Sequence, residues 1–277
     1  MKELACLLAF VALAWPPAVV LSAEEVEEVD VTYLGNAGFL IAAGETKVLV
    51  DALYGDGLAG YPVVPPLIRR RAEDGERELA GVDVVLASHR HGDHFDAGAV
   101  ARHLAANPQS RFVSTAEAVA SLVAVDPGLA DRAVGLWPPA GERASVEHAG
   151  VRVTALRLHH GDAPAQNLGL LVEVGGFRLV HLGDTEVTAD ELRPLGLAAE
   201  GIDVALVPYW YFISGRRRPA IGEFGARQMV AVHFPAPDAP PEYFHPASSF
   251  GALVDAVRTA DPEVWIPLSA LETRSFR

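Results

Sequence analysis

Short apolar runs that recur from residue 29 onward dominate the hydrophobic pattern of this chain. Most of them are rich in β-branched residues and end at Gly, Asp or His, which is typical of strands. The pair Gly175-Gly176 separates two of these runs and predicts a hairpin turn. We predict strands over residues 29–34, 38–42, 47–51, 82–88, 151–158, 168–174, 177–182, 203–207, 229–232 and 264–267.

Amphipathic stretches lie between and after these runs. Apolar residues spaced three and four positions apart predict helices over residues 97–106, 116–123, 189–197 and 248–259. The stretch 61–80 is rich in Pro and then in charge, so we expect a surface helix or loop there. The predicted strands form two groups along the chain, and helices follow each group. This order predicts a layered α/β (α+β) fold, in which two sheets pack together with helices outside.

The composition is that of a folded domain with an excess of acidic residues. The chain has 277 residues, of which 50% are hydrophobic and 21% are charged, so a sizeable core is available. The formal net charge of -14 argues against a nucleic-acid partner, because non-specific binding requires a basic surface. No linker divides the chain after its first residues, so we expect one domain over residues 24–277.

The N-terminus has the order of a secretory signal peptide. Lys2 precedes an apolar run that begins at Leu4, and small residues around Ala23 precede an acidic stretch. We expect a signal peptide over residues 1–23 that is cleaved, which would leave a periplasmic or secreted protein without a stable membrane anchor; a retained anchor is the alternative. Cys6 is the only cysteine, so the mature chain would have neither disulfides nor thiolate metal ligands.

A histidine-rich run directly after a predicted strand carries the strongest chemical signal. His89 and His91 share side-chain parity, so an extended backbone projects both in the same direction. Asp93 and His94 follow Gly92, which permits a tight turn. One loop can therefore direct two histidines at one cation and an Asp-His pair at a second. Imidazole and carboxylate ligands suit Zn²⁺, and also Mn²⁺ or Fe²⁺.

One loop cannot complete two metal sites, so further ligands are needed from later strand ends. His160 continues the inward face of the strand before it, and His159 is the alternative. Asp184 follows Gly183, which allows close approach of the backbone. His233 ends the run 229–232.

This ordered set, HxHxDH followed by His, Gly-Asp-Thr and a final His, resembles the metallo-β-lactamase superfamily. Within it, the opening strands look like those of a branch of small metal-dependent hydrolases that includes the ascorbate-phosphate lactonase group. The resemblance implies an αββα sandwich with two divalent metals, expected to be zinc, at one edge of the sheets. It also implies that one metal is held by His89, His91 and His160, the other by Asp93, His94 and His233, with Asp184 bridging both.

The same resemblance implies hydrolysis by a hydroxide between the two metals, with Asp93 orienting or deprotonating the water and Asp184 bridging the metals. We expect a small-molecule ester, lactone, amide or phosphodiester as the substrate. The alternatives are an oxygen-using enzyme of the same fold with a single iron, and a non-catalytic metal-binding module. The single iron would be revealed by metal analysis.

Several other residues are candidates for supporting roles. Asp51 matches an Asp of the superfamily near the site, and we expect it to hold a ligand in position; a turn at a strand end is the alternative. Asn36 stands where many relatives of this branch have His, so its role near the site or the substrate is open. We expect His103, on a predicted helix, to be solvated, and His181 to lie in the core or beside the ligands.

The aromatic run after residue 207 has two interpretations. Tyr209, Trp210 and Tyr211 follow a predicted buried strand on the side of the metal-bearing strand ends. They could form the wall of a substrate pocket, where a Tyr hydroxyl could donate to a developing oxyanion. Packing in the core is the alternative.

Overall fold

Two mixed sheets packed face to face form the centre of the computed structural model, which describes residues 28–161 and 164–277. The predicted signal segment, residues 1–23, lies outside the described residues. The first sheet has the strand order β13-β1-β2-β3-β4-β5-β6. Its strands are β1 (Val29–Gly35), β2 (Gly38–Ala43), β3 (Thr46–Val50), β4 (Val84–Leu86), β5 (Arg111–Thr115), β6 (Ala133–Leu136) and β13 (Thr273–Phe276).

The second sheet contains most of the later strands and has the order β12-β11-β10-β9-β8-β7. Its strands are β7 (Arg143–His148), β8 (Val151–His159), β9 (Gln166–Val174), β10 (Phe177–His181), β11 (Val204–Pro208) and β12 (Gln228–Val232). In both sheets antiparallel pairs come first along the chain and parallel pairs follow, apart from the antiparallel pairing of β13 with β1. The parallel pairs need crossover connections, and helices supply most of them.

Helices cover the outer face of each sheet. The first sheet is covered by α1 (Pro66–Asp74), α2 (Ala97–Ala106) and α3 (Ala116–Val125), and the second by α4 (Ala189–Leu192), α5 (Trp210–Ile213), α6 (Ile221–Phe224) and α7 (Phe250–Ala260). Three apolar layers result, one between the sheets and one under each set of helices. This arrangement confirms the predicted αββα sandwich. Among the described residues, no helix has the length and hydrophobicity needed to cross a membrane.

The strands that precede the candidate ligands all end at one edge of the sandwich. β3 and β4 are parallel, so Asp51 and the histidine run follow neighbouring strand ends. β10, β11 and β12 are likewise parallel, which places Asp184 and His233 at the corresponding ends of the second sheet. β8 runs in the same direction as β10, because β9 lies between them and is antiparallel to both. The topology therefore gathers residues that are far apart in sequence.

The structure corrects parts of the predicted secondary structure. The predicted strand at 264–267 is wrong: Trp265 makes a single parallel bridge with Val230, and Pro267 has no amide hydrogen to extend it. The predicted helix at 189–197 ends at Leu192 and continues as a 3-10 turn, because Gly196 adopts a left-handed φ of 65°. The strands β5, β6, β7 and β13 were not predicted.

Candidate metal centre

The histidine run forms a tight turn at the end of β4. The amides of His94 and Phe95 both donate to the carbonyl oxygen of His91, at 3.0 and 2.9 Å. This turn separates the side chains that come before Gly92 from those that come after it. The run thereby contributes to two distinct clusters of ligand-type atoms.

The three-histidine cluster consists of His89, His91 and His160. The ring centroids of His89 and His91 are 4.6 Å apart, and those of His91 and His160 are 4.7 Å apart. His89 and His160 are 4.8 Å apart, so the rings form a nearly equilateral triangle. His89 is fully buried, whereas His91 and His160 are partly exposed. The solvent therefore reaches the centre from this side.

The four-residue cluster consists of Asp93, His94, Asp184 and His233, all buried. His233 Nε2 lies 3.0 Å from Asp184 Oδ2 and 3.3 Å from Asp93 Oδ2. His94 Nε2 lies 3.2 Å from Asp184 Oδ1.

Asp184 also faces the first cluster. Its Oδ2 is 3.8 Å from His89 Nε2 and 3.6 Å from His160 Nε2. Its carboxylate therefore stands between the two clusters, within reach of both.

A buried hydrogen-bond chain fixes the orientation of two of the histidines. Asp51, which is fully buried, accepts from Ser88 N at 2.6 Å and from Ser88 Oγ at 2.7 Å, and its Oδ2 lies 2.7 Å from His94 Nδ1. Because the single hydroxyl proton of Ser88 goes to Asp51, Ser88 Oγ accepts from His89 Nδ1, 3.0 Å away. Both rings then direct Nε2 into the centre. Asp51 thus holds His94 in position, and it also lies in the bend that follows β3. Ser88 was not predicted.

Amide side chains hold both aspartates of the centre, Asp93 through its carboxylate and Asp184 through its backbone amide. Asn36 Nδ2 donates to Asp93 Oδ2 at 3.0 Å. Asn167 Oδ1 accepts from the amide of Asp184 at 3.1 Å. Between them, Gly183 has φ of +57°, and a Cβ there would lie 2.3 Å from Asn167 Oδ1. Glycine at this position therefore permits the loop after β10 to approach Asn167 of β9 closely. Asn167 was not identified from the sequence.

Three residues of the centre adopt backbone conformations that are unusual for non-glycine residues. Asn36, Asp51 and His233 have φ of 47°, 47° and 63°. Such conformations cost free energy, and they persist where the surrounding structure holds them. Their concentration at one edge of the sandwich marks a functional site.

The protonation states of both carboxylates and of His89 suit cation binding, whereas the carboxylates around His94 and His233 outweigh burial and raise the pKa of both rings, which must release a proton when they ligate a metal. Burial raises the pKa of Asp184, but His233 and His94 outweigh it and hold this pKa well below its usual range. Burial also raises the pKa of Asp93, yet contact with His233 lowers it to about 2. Burial lowers the pKa of His89 well below 6.5. Both carboxylates are therefore ionised and His89 is neutral at neutral pH, which are the forms that ligate metals.

Unpaired buried polar atoms give a second, independent reason to place metal ions in this centre. Among the described residues, the buried side-chain atoms without a well-formed hydrogen bond are concentrated in this centre. They are Asn36 Oδ1, His89 Nε2, Asp93 Oδ1, His94 Nε2, His160 Nε2, Asp184 Oδ1, and Nδ1 and Nε2 of His233. Leaving such atoms unpaired costs about 1–3 kcal/mol each, so the convergence of the histidine Nε2 atoms and the carboxylate oxygens indicates that cations complete the site.

Two aromatic rings flank His233. The ring of Tyr61 lies edge-on to it, with centroids 4.6 Å apart, and the ring of Trp210 lies 5.3 Å away. Trp210 is anchored because its Nε1 donates to the carbonyl oxygen of Thr185 at 3.1 Å. Trp210 therefore borders the centre, as one interpretation of the sequence allowed. Tyr61 was missed, because the stretch around it was interpreted as surface.

The other two aromatic candidates differ from each other. Tyr209 is partly exposed and stacks on Phe234 with centroids 5.1 Å apart, next to Trp210. Tyr211 is fully buried, and its hydroxyl donates to the carbonyl oxygen of Val187 at 2.9 Å. A pocket role for Tyr211 is therefore wrong, and the residue belongs to the core under the second sheet.

Five histidines lie outside the two clusters, and three of them bear on the predictions. His159 is exposed and pairs with Glu191 at 3.1 Å, so of the two adjacent candidates only His160 enters the centre. His181 is buried; its Nε2 donates to Ala37 O at 3.0 Å and its Nδ1 accepts from Gly183 N at 2.9 Å. The prediction that His103 is solvated is wrong, since the residue is fully buried on α2.

The αββα sandwich and the paired ligand clusters at its edge define a metal-dependent hydrolase of the metallo-β-lactamase fold. Residues 46–239 match the family described as the beta-lactamase superfamily domain. The chain therefore belongs to the β-lactamase superfamily.

Curated relatives cover most of the chain. A UPF0173 metal-dependent hydrolase from Symbiobacterium thermophilum is 29% identical over 242 residues, which cover 86% of this chain and 96% of the relative. One from Thermus thermophilus is 30% identical over 215 residues, with 74% and 84% covered. The fold is shared with a novel metallo hydrolase from Ignicoccus hospitalis, with a TM-score of 0.56 and 19% identity over 90% of this chain and 99% of the other.

Proposed function

We propose that this protein hydrolyses a small molecule with two divalent cations, in the arrangement implied by the resemblance. His89, His91 and His160 would hold one cation, and Asp93, His94 and His233 the other, with Asp184 shared. The observation that carries this proposal is the position of Asp184, whose carboxylate is within 3.8 Å of His89 Nε2 and 3.0 Å of His233 Nε2. Imidazole nitrogens and carboxylate oxygens without a thiolate favour zinc, with manganese or iron as alternatives.

The cations would supply a hydroxide nucleophile at neutral pH and polarise the scissile bond. The residues of the chain position the other participants. Asn36 holds Asp93 through Oδ2, so that the carboxylate would ligate one cation and orient the attacking water beside it. Asp51 and Ser88 keep the Nε2 atoms of His94 and His89 directed at the cations.

The substrate would approach from the side of His91 and His160, which are partly exposed. Trp210 and Tyr61 border the centre on the side of His233, and the partly exposed Tyr209 lies beside Trp210. These partly aromatic surroundings fit a small molecule. The -14 net charge disfavours nucleic acid, and the centre suits acyl and phosphoryl transfer equally.

The test combines metal analysis with substrate screening. We expect about two zinc or manganese ions per chain, loss of turnover after chelation, and recovery when the metal returns. The panel contains 4-nitrophenyl butyrate, dihydrocoumarin, an acyl anilide and bis(4-nitrophenyl) phosphate. Undiminished turnover without metal would contradict the proposal. One iron per chain with oxygen consumption would favour the oxygen-using alternative, and metal without turnover the binding module.

Neighbouring histidines provide a matched pair for this experiment. His160→Ala should lose metal and turnover, whereas His159→Ala should retain both, because His159 is exposed and pairs with Glu191. Equal losses in the two variants would contradict the ligand assignment.

We also propose that the protein is exported and that the segment 1–23 is removed. The order of charge, apolar run and small residues in the sequence supports this proposal. N-terminal sequencing of protein from the periplasm or medium is the test, and an intact Met1 would contradict it.

A further inference from the structure

A cavity lies beside His233, and neither Asp93 nor Asp184 is among the residues that line it. Its volume is about 230 Å³, and Asn36 and His233 form part of its lining. The rest of the lining is mainly apolar and includes Val63, Phe250 and Leu268. Val63 and Leu268 are 41% and 48% exposed, so apolar side chains surround the mouth of the cavity as well. Exposed apolar groups around a pocket are typical of a binding site.

Two lining residues each have an unpartnered buried polar atom. Asn36 is 1% exposed, and because its Nδ2 donates to Asp93, its Oδ1 is an acceptor without a partner. His233 is 3% exposed, and its Nε2 faces Asp93 and Asp184. When Nε2 serves as a ligand, the ring proton is on Nδ1, which also has no partner. The two residues therefore offer one acceptor and one donor.

The charge and size of the cavity restrict its occupant. The lining contains no Lys, Arg, Asp or Glu among the described residues, so a charged ligand would lose its hydration without compensation. A cavity of about 150 Å³ accommodates benzene. By proportion, 230 Å³ fits a ligand of about nine non-hydrogen atoms.

We propose that this cavity binds a neutral, mainly apolar small molecule with one hydroxyl or primary amide group. That group both donates and accepts, which matches Asn36 Oδ1 and His233 Nδ1. The occupant is either the non-reacting part of the substrate or a separate ligand. In both cases binding is coupled to the metal centre, because Asn36 also holds Asp93 and His233 also faces Asp184.

Benzyl alcohol and benzyl methyl ether are the probes, titrated by ligand-observed NMR against zinc-loaded protein. We expect benzyl alcohol to bind with a dissociation constant on the order of 1 mM. The ether, which cannot donate to Asn36 Oδ1, should bind about fivefold more weakly or worse. Benzoate should bind more weakly still. Equal affinity for the alcohol and the ether, or no binding of the alcohol, would overturn the proposal.

Variants locate the probe. Ala270→Leu fills part of the cavity and Val63→Asp places a charge at its mouth, so each should weaken binding about fivefold or more. Ala144→Leu and Leu67→Asp are the matched controls, since neither residue lines the cavity, and they should bind as the wild type does. Unchanged binding in a folded cavity variant would overturn the proposal, so if one variant fails to fold, the other still provides the test.

A kinetic experiment distinguishes the two sources of the ligand. With a substrate from the screen, benzyl alcohol that raises KM alone identifies the cavity as a substrate subsite, whereas a change in kcat identifies a separate ligand. The NMR titration needs no turnover, so the cavity proposal can fail while the hydrolase proposal stands, and the reverse.

Discussion

Buried histidines occur in two regions of this molecule, and they differ in how their ring nitrogens are satisfied. His103 on α2 has its Nδ1 2.5 Å from the carbonyl oxygen of Ala72, at the end of α1, and its Nε2 3.3 Å from Ser110 Oγ. In the metal centre, His94 and His233 each leave Nε2 without a well-formed hydrogen bond. The same residue type therefore serves as a structural link in one region and as a ligand in the other.

The comparison shows that partners, rather than burial, distinguish a ligand histidine from a structural one. A paired imidazole contributes modestly to stability, whereas an unpaired buried one costs about 1–3 kcal/mol until a ligand satisfies it. The metal centre should therefore respond strongly to loss of cation, and the His103 region should not. Each prediction below tests this difference.

Loss of Asp184 should have the largest effect, because its carboxylate stands between both clusters. We predict that Asp184→Asn lowers kcat/KM by about 10³-fold or more and reduces bound metal at both clusters. Asp190→Asn is the matched control, since the Asp190 side chain is 87% exposed and belongs to neither cluster. Steady-state kinetics with elemental analysis provides the measurement. Full metal content in Asp184→Asn would contradict a shared ligand.

Removal of the cations should destabilise the whole fold. With metal at about 1,000 times its dissociation constant, each site stabilises the native state by about 4 kcal/mol. We therefore predict a lower midpoint of urea unfolding after dialysis against chelator, restored by zinc. Identical unfolding curves with and without chelator would show that the unpartnered atoms of the centre do not require a cation.

Substitutions in the two regions should have opposite effects. We predict that His103→Leu lowers the unfolding free energy by about 2–3 kcal/mol, because Ala72 loses its partner, while bound metal is unchanged. His91→Ala should lower bound metal with little effect on the stability of chelated protein, since His91 is partly exposed. Denaturation and metal analysis of both variants provide the test. A loss of metal in His103→Leu would contradict the assignment of His103 as a structural residue rather than one that supports metal binding.

The group that orients a ligand should have a smaller effect than the ligand itself. Asp51→Asn keeps the shape of the side chain but weakens its bond to His94 Nδ1. We predict a 10- to 100-fold loss of metal affinity, on the order measured for such outer partners. Competition with a chromophoric chelator measures it, with the fully exposed Asp56→Asn as the control. An unchanged affinity would place Asp51 in a purely structural role.

Regular elements with a strong pattern could be predicted from the sequence. The helix at Ala97–Ala106 has its predicted bounds, since its apolar spacing is clear and Asp96 caps it by accepting from Ala99 N. Arg143–His148 and Thr273–Phe276 were not predicted, because these strands lie at sheet edges, where polar residues interrupt the apolar pattern.

The sequence predicts only those residues of the centre whose type, His or Asp, is itself typical of a metal ligand. The histidine run stands together in the sequence, and the later strand ends supply the rest of the clusters. Asn167 and Tyr61 could not be predicted, because their roles depend on contacts with segments far away in the sequence. His103 was misjudged for the same reason: its partner Ala72 belongs to another helix, and helix packing cannot be read from one helix alone.

The smallest predicted effect is a pH dependence of stability that originates in His103. Burial lowers the pKa of His103 below 6.5, only partly offset by its hydrogen bond to Ala72, and Arg132 lowers it further. The neutral ring is thus the folded form. Its contribution to stability is complete above pH 6.5 and is lost as the pH falls from there toward the folded-state pKa, because the unfolded chain then binds the extra proton.

His103→Gln isolates this contribution, since Gln retains a donor for Ala72 and does not titrate. Both proteins are unfolded with urea after chelation, between pH 7.5 and pH 5.5, so that the ligand histidines titrate equally in each. We predict that the wild type loses more of its unfolding free energy than the variant over this range. Parallel stability curves would mean that folding does not lower the pKa of His103, and they would contradict this prediction.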